Sequence, residues 1–233
     1  MSNESKIWDF LYSKLKNPYG TAGLMGNIYV ESKFKPTNLQ NSYETKLHTT
    51  DAEYTEYVDN GVYKNFVNDH AGYGLVQWTY WSRKEGLLNF AKQTNRSIGD
   101  LDMQLEYIWE ELHSYKNVLN VLLAATSVEE ASDAVCSGYE GPGDQSESAK
   151  RNRSYYGLTY FHRYYKVTPD HKSVRITGDH VNIRQGNGTN FPRITSANKG
   201  TTYNWIATAE NGWNAVLLTN FVGWVSGDYS KVE

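Results

Sequence analysis

The chain has 233 residues, 39% of them hydrophobic and 21% charged, with a net charge of −3; this fits one or two globular domains and argues against a disordered chain. No concentrated basic face points to nucleic acid as a partner, and no apolar run approaches the ~20 residues that span a bilayer, so no membrane partner is expected. Cys136 is the only cysteine, which rules out an intrachain disulfide, and no Cys/His spacing suits zinc, so neither a metal nor any other cofactor is expected.

The opening residues, MSNESKIWDF, lack the charged-then-apolar order of a signal peptide. Synthesis in a cytoplasm is expected, with another exit route if the site of action lies outside. Ile7, Phe10, Leu11 and Leu15 then repeat at helical spacing and predict an amphipathic first helix. Thr21 to Glu31 is nearly all apolar and predicts a buried helix, which Pro36 and its restrained predecessor should stop. From Pro36 to Gly72 the chain is rich in Asn, Tyr, Asp and Thr and reads as loops, with room for a small hairpin. Leu101, Leu105, Ile108, Trp109 and Leu112 mark a strongly periodic helix. Ser127 and Glu130 have capping-box spacing ahead of Ala131, Ala134 and Val135. Asp144 and Glu147 have the same spacing and predict a last helix ending near Tyr165. Cys136 lies in an apolar helical stretch and reads as a buried structural thiol.

Beyond a short polar linker, VTPDHK at 167–172, the period changes to two. Val181, Ile183, Ile194, Tyr203, Trp205, Trp213, Val216, Val222 and Trp224 lie in short alternating runs punctuated by GNGTNFP, KGT, ENG and SGD. The expected organisation is a mainly helical domain over 1–166 and a small all-β domain over 173–233.

Two stretches carry chemistry. Glu31 closes the apolar helix, where desolvation and the negative end of the helix dipole both disfavour a charged carboxylate. A carboxyl kept protonated near neutral pH is what a general acid needs to protonate a glycosidic oxygen. The second stretch is Ala71-Gly-Tyr-Gly-Leu-Val-Gln-Trp78. Gly72 and Gly74 permit close backbone approach, Gln77 offers a donor and an acceptor, and Tyr73 and Trp78 offer flat faces; the composition suits a wall of a sugar-binding cleft. Of the 19 Tyr and 7 Trp in the chain, most are expected in the core.

An apolar helix ending in Glu-Ser-x-Phe-x-Pro, followed about forty residues later by Gly-Tyr-Gly-Leu-x-Gln-Trp, resembles the phage tail-type lysozymes and related endolysins. It is more distantly similar to goose-type lysozymes and soluble lytic transglycosylases. TYWSRKEGLLNFAK, LDMQLEYIWEEL and SVEEASDAVCSGYEGPGD extend the resemblance in order and spacing over about Ile7 to Tyr165. It implies a lysozyme-like helical fold that cleaves the β-1,4 bond between N-acetylmuramic acid and N-acetylglucosamine in peptidoglycan. Within it Glu31 matches the catalytic acid, Ser32 a residue supporting the cleft and Gln77 a cleft-lining glutamine. Glu140, in Gly-Tyr-Glu-Gly-Pro, matches a cleft-facing polar position.

Hydrolysis usually employs two carboxyls, whereas lytic transglycosylation can use one because the substrate's own hydroxyl replaces water. Glu44, Asp51, Glu53, Glu56, Asp59 and Asp69 are the candidates from the irregular segment, and Asp69 stands nearest the Gly-Tyr-Gly turn. His48 and His70 lie in the same segment. The C-terminal pieces Val181-Asn-Ile-Arg184, Lys199-Gly-Thr, Asn211-Gly-Trp213 and Gly223-Trp-Val-Ser resemble a bacterial SH3 domain. That implies a small barrel that binds peptidoglycan cross-bridges or wall polymers, with Trp205, Trp213 and Tyr229 as candidate contacts and Trp224 as a strand residue. The fold class expected is therefore α+β and multidomain. Three functions compete: a muramidase, a lytic transglycosylase, and an inactive wall-binding or tail protein.

Overall fold

The computed structural model describes residues 2–165, 172–218 and 222–233. The chain divides into two compact units, Met1–Ser154 and Tyr155–Glu233. Residues 167–171 of the expected linker lie outside the described residues.

The first unit is helical. Helix α1 (Asn3–Leu15) is capped by Ser2, whose hydroxyl accepts from the Ser5 N–H, and buries Ile7, Trp8, Leu11 and Leu15. Helix α2 (Pro18–Ser32) starts with Pro at N1, where a missing N–H costs nothing, and Asn17 caps it through the N–H groups of Tyr19 and Gly20. Its central residues Gly20 to Ile28 are all buried, because neighbours approach from several sides. A Cβ on Gly20 would stand 1.9 Å from the Leu122 carbonyl oxygen, and one on Gly23 2.6 Å from Ala131 Cβ. Glycine here is a matter of space. The helix ends at Ser32, ahead of Pro36, in two left-handed residues, Lys33 (φ 53°) and Phe34 (φ 64°).

The segment expected to be loops holds two helices, α3 (Asn41–Leu47) and α4 (Asp51–Asp59). Thr50 and Glu53 form a reciprocal capping box at the start of α4, which buries Tyr54, Thr55 and Val58 on one face. The hairpin reduces to isolated bridges, Leu39 to Tyr73 and Tyr73 to Trp78. Helices α5 (Trp81–Thr94), α6 (Leu101–Leu112), α7 (Lys116–Ala124) and α8 (Val128–Val135) complete the bundle. Ser127 accepts from the Glu130 N–H, but the Glu130 carboxylate turns to Thr126 instead of closing the box. The backbone then widens into a π turn over Cys136–Glu140, with Cys136 buried. Helix α9 (Glu147–Tyr164) follows; Ser146, not Asp144, accepts from an N–H of its first turn, that of Ala149. Among the described residues no helix is long and apolar enough to cross a membrane.

The C-terminal strands are β1 (Ser173–Ile176), β2 (Val181–Arg184), β3 (Arg193–Ala197), β4 (Thr202–Thr208), β5 (Trp213–Leu217), β6 (Val222–Ser226) and β7 (Ser230–Val232). They form one antiparallel sheet in the order β3-β2-β6-β5-β4-β1-β7. The ladder slips between Ile183 and Arg184 and again between Trp205 and Ala207. Val174, Ile176, Val181, Ile183, Ala197, Val216 and Val225 make a single core. Ala197 on β3 and Val174 on β1 stand far apart in the strand order yet share that core, so the sheet curls over it. This is the arrangement of an SH3-like fold.

Candidate active site and wall-binding groove

The last turn of α2 carries Glu31 to the edge of a cleft of about 620 Å³, a volume in the range of small-ligand sites. Glu31, Gln77, His70, Tyr80, Arg83 and Glu140 are among its lining residues. Another part of the lining is a tight loop. Gly74 (φ 77°) and Gln77 (φ 49°) take left-handed backbone conformations, and the Gly74 N–H donates to the Asn38 carbonyl at 2.9 Å. Buried Gln104 of α6 clamps the same loop, accepting from the Leu75 N–H at 2.9 Å and donating to the carbonyls of Pro36 and Ile98. Gln77 Nε2 donates to the carbonyls of Asn38 and Gly74. Its orientation is therefore fixed by the loop itself.

Glu31 is 19% exposed, and its Oε1 lies 2.7 Å from Nη2 of Arg153 on α9. Glu140 ends the π turn, and its Oε1 is sealed from solvent without a hydrogen-bond partner. Burial pushes the Glu140 carboxyl well above the ordinary carboxylate range, and the neighbouring negative charge of Glu31 pushes it further; Arg83 and Arg153 act in the opposite direction. Arg83 is committed elsewhere. Its Nε and Nη2 grip the two oxygens of Glu111 at 2.6 and 2.7 Å, and its guanidinium stacks on Tyr139. Glu111 also accepts from Tyr139 and from the Trp78 indole. The charged groups around Glu140 are thus Glu31 and Glu111 against Arg83 and Arg153. Lys33 acts on Glu31 as a further cation. Burial, the largest influence on Glu140, is what favours its protonated form.

A family-model match over residues 2–164 carries the description phage tail lysozyme. The chain belongs to that family. Residues 179–231 also match the bacterial SH3 domain. No curated protein matches the chain. The two matches support a lytic enzyme acting on peptidoglycan, and the SH3 match suggests binding to cell-wall peptidoglycan.

Several residues singled out from the sequence stand outside the cleft. Asp69 is not a second cleft carboxylate. It is buried, accepts from Lys84 Nζ at 2.5 Å, the Ala71 N–H at 2.9 Å and the Tyr54 hydroxyl at 2.5 Å, and does not line the cavity. Ser32 is buried and turned back onto the Ile28 carbonyl at 3.1 Å, beneath the cleft. Tyr73 and Trp78 are fully buried; the Tyr73 hydroxyl meets Thr55 at 2.6 Å and the Trp78 indole bonds Glu111. Their faces are spent on the core, and they hold the Gln77 loop instead of touching a ligand. Asp51 binds Lys35 and the Leu39 N–H, Asp59 binds Ser97 and the Ile98 N–H, and Glu53 caps α4, so these carboxylates are structural as well. Glu44, Glu56 and His48 do not line the cleft, whereas His70 does. Arg83, Tyr80 and Arg153 were missed. Tyr80 is 62% exposed on the cleft wall, and a Tyr beside a Trp with polar flanks was a readable sign of an unburied aromatic. The arginines had no such signal, because they reach Glu31 and Glu140 only through the fold.

The SH3-like unit has a groove of about 600 Å³ lined by Asp179, His180, Arg184, Trp213, Asp228 and Tyr229, among others. Trp213 and Tyr229 therefore stand together, Tyr229 half exposed. Trp205 is elsewhere: it packs against the barrel core, and its indole donates to Thr208 at 3.1 Å. Trp224 is a half-buried residue of β6 paired with Arg184 and Ala215. Among the described residues no cluster of His, Cys, Asp and Glu could hold a metal.

Proposed function

We propose that this chain cleaves the β-1,4 bond between N-acetylmuramic acid and N-acetylglucosamine, with Glu31 as the general acid. The reading rests on one observation: Glu31 opens on the same cleft as Gln77, Tyr80 and a second carboxyl, Glu140. The family membership supports the same reading. A glycan strand laid in the cleft would run past Gln77 and the exposed ring of Tyr80, a flat apolar surface of the kind that stacks on sugar rings. The glycosidic oxygen would take the proton from Glu31 as its bond to the anomeric carbon breaks, and water would add at that carbon, releasing a proton that restores Glu31. The groove holding Trp213 and Tyr229 would keep the enzyme on its polymer substrate and so raise the local substrate concentration.

Digestion of purified cell walls by the wild type and by Glu31→Gln, with the products weighed, tests the assignment. Gln keeps the shape of the side chain but has no carboxylic proton to give. A loss of at least ~100-fold is expected, the usual scale of a general acid. Activity within a few-fold of wild type would remove Glu31 from the mechanism.

A second reading, lytic transglycosylation, draws on a specific feature. Glu140, the other carboxyl of the cleft, favours its protonated form and is a poor base for water. The same digests separate the two reactions: hydrolysis leaves reducing ends, and transglycosylation leaves anhydromuramic ends. A folded Glu31→Gln variant that binds walls and cuts no less than the wild type, both at background level, would instead point to a wall-binding protein without catalysis.

A further inference from the structure

The start of α5 breaks two local rules at once. Tyr80 is its N-cap and makes no side-chain bond to the first-turn N–H groups, at a position where Ser, Thr, Asp or Asn would stabilise the helix. Tyr80 is 62% exposed, and Trp81, the first helical residue, is 48% exposed. Trp81 is the only exposed tryptophan among the described residues, whereas Trp8 and Trp78 are buried. Large rings left in water forgo the stabilisation that burial gives, and such departures from local preference gather at functional sites. The two rings are neighbours, with centroids 5.9 Å apart and planes inclined at 44°, so they are not stacked face to face and both stay open to a ligand. Tyr80 lines the cleft together with Glu31; Trp81 does not, and stands beside Tyr80 outside it. The pair carries the aromatic wall of the cleft past its edge.

We propose that Trp81 is an outlying sugar subsite: it continues the Tyr80 platform beyond the cleft, stacks on a saccharide unit remote from the scissile bond, and so makes the enzyme favour long glycan strands over short fragments. The inference rests on the reading of the cleft as the place where Glu31 cleaves glycan, and it names the part of the substrate bound outside that cleft. The continuity of the polymer identifies the occupant. A strand held at Glu31 and Tyr80 does not end at the edge of the cleft, and its next units must pass over whatever borders Tyr80. A sugar presents an apolar C–H face between polar edges, and the flat face of a Trp or Tyr matches it without a charge. Thr79 and Ser82, which flank the pair in the chain, are uncharged and carry hydroxyls, in keeping with a carbohydrate ligand and not an ionic one. A contact this far from the reacting bond is the same in the ground state and the transition state. It therefore lowers KM and leaves kcat alone.

The test is the cleavage of peptide-free glycan strands, sorted by length, by the full chain. Trp81→Ala should raise KM for long strands about five- to tenfold, the scale of one well-placed aromatic contact, with kcat within about twofold of wild type. Fragments only just long enough to be cut should be cleaved by Trp81→Ala as they are by the wild type. Trp81→Phe keeps a ring and should restore most of the preference for length. Tyr80→Ala, inside the cleft, should raise KM for strands of every length. An unchanged KM on long strands overturns the proposal, and so does an equal loss on long and short ones, which would mark Trp81 as structural. A loss seen on peptide-bearing walls and not on peptide-free strands would overturn it in favour of a peptide ligand, and a change in oligomeric state on sedimentation in favour of a second copy of the chain. Should Trp81→Ala not fold, the wild type decides alone: a KM that stays flat as strands lengthen past the shortest that are cut overturns the inference. A Glu31→Gln variant that remains active overturns the parent reading, whatever the dependence on length shows, so the two failures are told apart.

Discussion

Asp69 and Glu140 are both carboxyls taken out of water in the helical unit, and their surroundings treat them in opposite ways. Asp69 faces a fully buried lysine, a backbone N–H and a tyrosine hydroxyl. Lys84 in turn also donates to the Ala71 carbonyl at 2.8 Å. That set is closed: each charge has its opposite and the surrounding hydrogen bonds are made. Glu140 has Glu31 and Glu111 among its charged neighbours and keeps an orphan oxygen shut off from solvent. The closed set ties together helix, loop and helix: Tyr54 of α4, the backbone at Ala71 and Lys84 of α5. The open set looks onto the cleft. A balanced buried charge is scaffold, whereas an unbalanced one beside a cavity retains a proton that can be used.

The largest effect should come from breaking the closed set. Asp69→Ala leaves the Lys84 ammonium buried without its counter-charge, and a loss of about 3–5 kcal/mol is expected in denaturant unfolding. The reverse change, Asp69→Leu together with Lys84→Met, removes both charges and should recover most of that loss. A single-variant loss below about 1 kcal/mol would mean that water reaches the pair and that the contrast with Glu140 is overstated.

How much of this contrast could be read beforehand depends on what each residue leans on. Helices α1, α6 and α8 were legible because their buried residues recur at helical spacing, and α2 because it is apolar almost throughout. Helix α3 buries none of its residues, so no period exists to be read. Helix α4 did leave a signal, the Thr50-x-x-Glu53 box, but it was masked by the polar residues around it. Of the site, Glu31 and Gln77 were legible from local motifs, and Glu140 from its Gly-Tyr-Glu-Gly-Pro setting. The roles of Asp69, Tyr73 and Trp78 were not. Whether an aromatic beside Gln77 faces sugar or core is settled by Thr55 and Glu111, residues from other helices. The partners of Glu31 and Glu140 come from α5, α6 and α9, and no window of sequence contains them together. Arg153, whose Nη2 lies 2.7 Å from Glu31 Oε1, was out of reach of the sequence for the same reason.

The open set makes a smaller but directional prediction for stability. The Glu140 carboxyl binds its proton more tightly in the folded chain than in the unfolded one, where it titrates near about 4.3. Between those two values the folded state holds more protons, so stability falls as pH rises, by up to about 1.4 kcal/mol for each pH unit. Below the unfolded value the contribution is present in full. Glu140→Gln cannot titrate, and its unfolding free energy should be flatter across that window than the wild type's, with no loss at neutral pH. A variant whose stability follows the wild type in parallel at every pH would show that Glu140 is as well compensated as Asp69.

The smallest effect is expected in the SH3-like groove, which stands between the two extremes. Asp179 accepts from the Lys199 N–H, and Asp228 accepts from the Ser226 hydroxyl while its own N–H donates to Ser226 Oγ, so both acids have uncharged partners and remain exposed. Exposed charges of this kind add little to stability and are free to meet a ligand. Tyr229 is the aromatic to remove, because it is half exposed and contributes no side chain to the barrel core. Tyr229→Ala should weaken retention on wall sediment by about 1 kcal/mol, roughly fivefold, and should leave the cleavage of short soluble glycan fragments unchanged. Trp205→Ala, by contrast, strips a residue that packs on the core and should lower unfolding stability before it affects binding. If Tyr229→Ala holds the wall as firmly as the wild type, the groove is not the anchor, and the wall contact must be sought on another face of the sheet.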